Sequence, residues 1–181
     1  RKLNEKELIY FAKKSNIIIA GTEKYSSKTL TELKNLRFLF RLGVGDENID
    51  LQSVKKLKIK YKKSKITPYK AVAELIIVLI LSLLRKITDH NNNLKNYKWK
   101  KQMGNLLFGK TVGRIGFGKV GRYLVNLLKN FGVKILIYDP FKISKFKTSL
   151  LNLLKTSDII SLNASYNGGP PLLDKKKLNV I

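Results

Sequence analysis

The run from Thr111 to Arg122, TVGRIGFGKVGR, constrains this chain more than any other stretch. Three glycines, Gly116, Gly118 and Gly121, stand in it at G-x-G-x-x-G spacing. Glycines gather in loops by chance, so the spacing alone is a weak signal, and its flanks are what strengthen it. An apolar strand, Thr111 to Ile115, runs in, and residues 119–131 run out with apolar positions at helical period. Gly116 permits the tight turn from strand to helix. Gly118 leaves the backbone without a Cβ where an anion can approach, and Gly121 lets the helix pack closely on the strand. The helix N-terminus then presents free N–H groups, from about Lys119 and Val120, and a partial positive charge to phosphate.

A second strand, Val133 to Tyr138, follows that helix and ends at Asp139-Pro140. Asp139 lies 18 residues past Gly121, near the ~20 expected of a carboxylate that accepts hydrogen bonds from a ribose. Asp before Pro is also a common turn pair. Strand, loop, helix, strand and acid in one register point to a dinucleotide. A carboxylate at this place repels a 2′-phosphate, which favours NAD over NADP. Arg114 departs from the pattern, because a buried central strand takes an aliphatic residue there.

The remaining chain alternates in the same way. Helices are predicted over 7–14, 27–34, 69–87 and 150–155, with a further one from the Asp50 cap to Leu57. Strands are predicted over 16–20, 37–42, 59–61 and 158–162, the first of them a short apolar run of buried type. The polar stretch Asp89 to Asn93 reads as a loop, with His90, the sole histidine, exposed in it. Strands alternating with helices at this spacing imply parallel sheets with crossover helices, an α/β protein.

Composition narrows the function classes. With no cysteine, disulfides and thiolate metal sites are excluded, and no metal site is expected. Net charge is +25, but the lysines are scattered in small separate runs and no nucleic-acid motif accompanies them. A compositional bias rather than a nucleic-acid partner is therefore the reading adopted. Leu75 to Leu84, the most apolar run, is about half the length that crosses a bilayer and predicts a buried helix. No signal peptide is expected, and the absent initiator Met and the abrupt end suggest a fragment.

Beyond the glycine loop, four segments resemble the D-isomer-specific 2-hydroxyacid dehydrogenases, most of all their phosphoglycerate dehydrogenase branch. Ile17 to Leu30 (IIIAGTEKYSSKTL) is similar to the first strand and loop of the family's substrate domain. Leu36 to Leu51 (LRFLFRLGVGDENIDL) resembles its R-x-G-V-G-x-x-N-I-D signature. Thr67 to Ile87 (TPYKAVAELIIVLILSLLRKI) looks like the long interdomain helix. Gly109 to Pro140 is similar to the cofactor unit nearly throughout, and Leu151 to Leu162 extends the likeness to the next strand.

The resemblance implies a Rossmann-type doubly wound parallel sheet over 69–181, opening with the interdomain helix 69–87. It also implies a partial flavodoxin-like substrate domain over 1–68. NAD is the implied cofactor, held by Gly116, Gly118, Lys119, Val120, Gly121 and Asp139. The backbone of Gly43, Val44 and Gly45 is implied to hold the carboxylate of a small 2-hydroxy or 2-oxo acid. The expected reaction is oxidoreduction at the CH–OH group of a D-2-hydroxyacid, foremost 3-phosphoglycerate as in serine biosynthesis. A homodimer in the cytoplasm, with no membrane partner, completes the family picture. The family's catalytic Arg, Glu and His fall beyond the equivalent of Ile181, so no catalytic residue is assigned here. Two alternatives stay open: a non-catalytic NAD-sensing protein of the same fold, and a dehydrogenase of glyoxylate or lactate type. The loop 163–171 departs from the family, which usually has His after the strand where this chain has Asn163.

Overall fold

The computed structural model describes residues 1–141, 146–164 and 169–181, so part of the unusual 163–171 loop lies outside the described residues. The chain divides into two units, Arg1–Thr67 and Pro68–Ile181.

In the first unit, α1 (Glu5–Ala12), β1 (Ile17–Ala20), α2 (Ser27–Glu32), β2 (Phe38–Arg41), α3 (Leu51–Lys56) and β3 (Lys60–Lys63) build a parallel sheet of order β1-β2-β3. Each helix begins at a polar cap. Asn4 accepts from the Glu7 amide at 2.9 Å, and the Glu7 carboxylate accepts from the Asn4 amide at 3.0 Å, a reciprocal capping box. Ser26 and Asp50 accept likewise from the amides of Thr29 and Ser53. Strand register puts Ile18, Leu39 and Tyr61 on one face, which joins Leu8, Leu30 and Val54 of the three helices in a single core. The other face carries Ile17, Ile19, Phe38 and Phe40, with Ile17 and Ile19 64% and 70% exposed. The apolar run over 16–20 thus becomes a strand covered on one side only, because all three helices pack on that side.

The second unit contains α4 (Tyr69–Leu84), α5 (Ile87–Lys95), β4 (Thr111–Ile115), α6 (Lys119–Lys129), β5 (Lys134–Tyr138), α7 (Leu150–Thr156), β6 (Ile159–Leu162) and α8 (Lys175–Leu178). Its parallel sheet has the order β5-β4-β6, so the first strand in sequence is central. Helices cover both faces. Val112 packs with Leu124 and Leu128 of α6 and Ala73 and Ile80 of α4, whereas Ile115 packs with Leu153 and Leu154 of α7. On the α7 side the approach is so close that a Cβ at Gly113 would stand 2.1 Å from Ser157 Oγ. This is the doubly wound arrangement expected of residues 69–181.

Three expectations from sequence are corrected here. The helix predicted over 69–87 ends at Leu84, because Lys86 takes a left-handed backbone with φ 53°. The chain returns there to satisfy the end of the helix: the Asn105 amide donates to the Leu84 carbonyl at 2.8 Å. Asp89 to Asn93 is helical, not a loop, within α5, whose Asp89 and Lys95 sit at the ends that suit their charges. His90 is consequently half-buried on a helix rather than exposed in a loop. Lastly, the apolar run of α4 is not wholly buried; Leu75, Val78, Leu79 and Leu83 are exposed along one side. Among the described residues no helix is long and apolar enough to cross a membrane.

Candidate functional site

Because β4 is central, the chain leaves it toward β5 on one side and reaches β6 on the other. Ligands of open α/β sheets sit at such a switch point, beyond the C-terminal ends of the strands. The glycine loop occupies that place. Gly116 has φ 94°, which an L side chain rarely adopts, and its amide donates to Tyr138 O at 2.8 Å. A Cβ on it would also meet Asn163 O and Ala164 N at 3.0 Å each, so the loop is fitted against the chain leaving β6. Gly118 differs. It is the N-cap of α6 with φ −73°, and none of the described residues lies within 4 Å of where its Cβ would stand. Among the described residues no side chain caps this helix, and the amides of Lys119, Val120 and Gly121 precede its first internal bond, Arg122 to Gly118 at 3.0 Å. Open space at Gly118 and uncapped amides beside it suit a phosphate group.

Asp139 stands at the end of β5, 7% exposed. Its Oδ2 accepts from the Phe117 amide at 2.6 Å and its Oδ1 from the Phe141 amide at 2.9 Å. The carboxylate therefore holds the glycine loop as well as facing it. These bonds orient Asp139 at the loop.

Arg114, anomalous in the sequence, is 1% exposed. Its Nη1 donates to Asn163 Oδ1 at 3.2 Å, and the same oxygen accepts from Ser161 Oγ at 2.6 Å. Among the described residues, Nε and Nη2 have no hydrogen-bond partner. A Cβ at Gly121 would stand 2.5 Å from Nη2 and 2.6 Å from Nε. The third glycine of the motif therefore makes room for a guanidinium, a more specific task than close packing of helix on strand. Burial lowers the Arg114 pKa to about 10, so the group stays charged near neutrality.

In the first unit, the loop of Gly43, Val44 and Gly45 follows β2. Gly43 has φ 134°, and a Cβ on it would stand 3.1 Å from the guanidinium of Arg41, which itself donates to Leu42 O. Asp46 anchors the far side, accepting from Lys63 Nζ at 2.7 Å and Tyr61 OH at 3.2 Å; the Lys63 bond chiefly holds its carboxyl below the usual range. Asn48, to which the sequence assigned no role, donates to Gly21 O at 3.2 Å and Glu23 O at 2.6 Å. It ties the loop after β1 to the loop after β2, and its place in the R-x-G-V-G-x-x-N-I-D signature was the available signal. Among the described residues, the amides of Gly43, Val44 and Gly45 donate to no protein group.

Residues 77–178 match the family described as D-isomer specific 2-hydroxyacid dehydrogenase, NAD binding domain. The chain belongs to this family. A hydroxypyruvate reductase of Thermotoga maritima is 35% identical over 153 residues, 81% of this chain and 50% of that protein. The D-lactate dehydrogenase of Escherichia coli superposes with a TM-score of 0.79 and 27% identity, over 92% of this chain and 56% of that one. A cofactor (NAD+)-bound 3-phosphoglycerate dehydrogenase of Entamoeba histolytica superposes with a TM-score of 0.74 and 25% identity, over 91% and 51%. The chain thus spans about half the length of these relatives. Its cofactor is NAD, and the open cradle at Gly118 fits that ligand. The three names carry three different acids, so membership does not decide the substrate.

Proposed function

We propose that this 2-hydroxyacid dehydrogenase chain forms the NAD-binding portion, and part of the substrate-binding portion, of an enzyme that oxidises 3-phosphoglycerate. The observation that carries this is the pairing of an open, uncapped glycine loop at the switch point with Asp139 across it. In this reading Gly116, Gly118, Lys119, Val120 and Gly121 hold the diphosphate, and Asp139 takes the ribose hydroxyls and rejects a 2′-phosphate. The free amides of Gly43, Val44 and Gly45 take the carboxylate of the acid. Bound NAD supplies the hydride acceptor for the C2 carbon. The exposed α4 side chains Leu75, Val78, Leu79 and Leu83 support a homodimer formed through the second unit. The same reading places the protein in the cytoplasm. The likeness to a hydroxypyruvate reductase favours a second reading, in which the acid lacks the phosphate.

Calorimetric titration should show NAD binding at least about tenfold tighter than NADP; equal affinities would remove the role given to Asp139. In the full-length protein, NADH should be oxidised with higher kcat/KM by 3-phosphohydroxypyruvate than by hydroxypyruvate or pyruvate. A preference for hydroxypyruvate would select the second reading. NAD binding without turnover of any 2-oxo acid would remove the dehydrogenase proposal and leave a binding protein.

A further inference from the structure

Arg114 is expensive where it lies. Burying a cation without an opposing charge is costly, on the scale of a strong packing defect. Among the described residues its side chain has one hydrogen bond, to the neutral amide of Asn163, and no ion pair. Alternation along β4 puts Arg114 on the same face as Val112, which packs in the apolar core with Leu124, so an aliphatic side chain at this position carries no such cost. The unspent donors Nε and Nη2 lie against Gly121, the third residue of α6, whose first-turn amides open on the cradle at Gly118. A charge so placed acts on an anion at those amides through protein rather than through water, where attraction persists.

We infer that Arg114 is the interior counter-charge of the glycine loop: it raises the loop's affinity for a diphosphate, and the diphosphate in turn relieves its burial. The inference rests on the NAD-binding reading. Arg114 is a positioning charge behind the first turn of α6, not a catalytic residue. Lys119, on the solvent side of the same turn, is screened by salt, whereas a buried guanidinium is screened much less. The Arg114-dependent share of affinity therefore survives added salt.

The test uses the unaltered chain, Arg114→Met and Arg114→Lys, each titrated calorimetrically with NAD, ADP and adenosine and melted without ligand. Arg114→Met should melt at a higher temperature than the unaltered chain, yet bind NAD and ADP about tenfold more weakly. Adenosine, which lacks the diphosphate, should bind alike to both, and Arg114→Lys should keep most of the NAD affinity. Arg114→Gln, close in length and uncharged, gives the same reading if the methionine variant does not fold. Unchanged NAD affinity in Arg114→Met, or an equal loss for adenosine, overturns the inference while leaving NAD binding intact. A lower ligand-free melting temperature would show that the charge is already compensated, and overturns it also. Failure of the unaltered chain to bind NAD at all would instead remove the reading on which it rests.

Discussion

The two units are built from the same parts, a three-stranded parallel sheet with its crossover helices, yet they differ in strand order and in cover. The first runs β1-β2-β3, and its helices lie on one face, leaving Ile17 and Ile19 exposed. The second runs β5-β4-β6 and is covered on both faces. A sequential order has no switch point, whereas placing the first strand in the centre creates one. Interior charge follows the same division. Buried side chains of the first unit are all uncharged, while the second buries Arg114 and Asp139 on either side of its glycine loop. Similar architecture therefore does not confer similar function; strand order decides where a ligand crevice opens.

Core truncations give the largest expected effect. Leu39→Ala in the first unit and Leu124→Ala in the second, both fully buried, should each cost about 2–5 kcal/mol in denaturant unfolding. Next comes Gly121→Ala, which drives a methyl into the Arg114 guanidinium and should cost about 1–3 kcal/mol. In an Arg114→Val background that cost should largely disappear. A double-mutant cycle showing additive effects would mean that Gly121 answers to the strand backbone and not to Arg114.

Acid titration compares the loops of the two units. Asp46 is held below the ordinary carboxylate range chiefly by Lys63, and Asp158 chiefly by the Thr111 amide and then by Lys110. A depressed folded pKa contributes stability above the unfolded pKa near ~4 that is lost as pH falls through the folded value. Both groups are solvated, so Asp46→Asn and Asp158→Asn should each flatten the acid limb modestly, lowering stability a little near and above neutrality and changing it least well below pH ~4. An unaltered acid limb in either variant would mean that its ion pair is not formed in solution. The smallest effect belongs to Ile19→Ala, which should stay within about 0.5 kcal/mol. If it cost as much as Leu39→Ala, the open face of the first sheet would be covered in solution and the contrast in cover would fail.

Much of this was legible because it is written in local spacing. The β4–α6–β5 unit follows from three glycines, an apolar strand and an acid, and the Asp50 cap from one residue before a helix. What escaped depends on contacts distant in sequence or on backbone detail. The stop of α4 at Leu84 needs Lys86 in a left-handed conformation and Asn105 returning to the last carbonyl. Helix α5 has no buried residue, so its apolar period carries no signal, and Asn91, Asn92 and Asn93 are poor helix formers. Arg114 was legible as an anomaly; its solution was not, because it needs Asn163, just past β6, and the empty side of Gly121. The hold of Asp139 on Phe117 joins residues 22 apart and has no local signature.

Gly118 tests the central claim most directly. Its φ of −73° suits any residue and its Cβ position is open among the described residues, so their packing does not need glycine there. Alanine loses a little as an N-cap and gains a little in the unfolded chain, offsetting terms of about 1 kcal/mol or less. The measurement is NAD affinity by calorimetry beside melting temperature for Gly118→Ala. An unchanged melting temperature with NAD binding weakened roughly tenfold or more is the result expected if this loop holds the diphosphate. Undiminished NAD binding to a stably folded Gly118→Ala would contradict it.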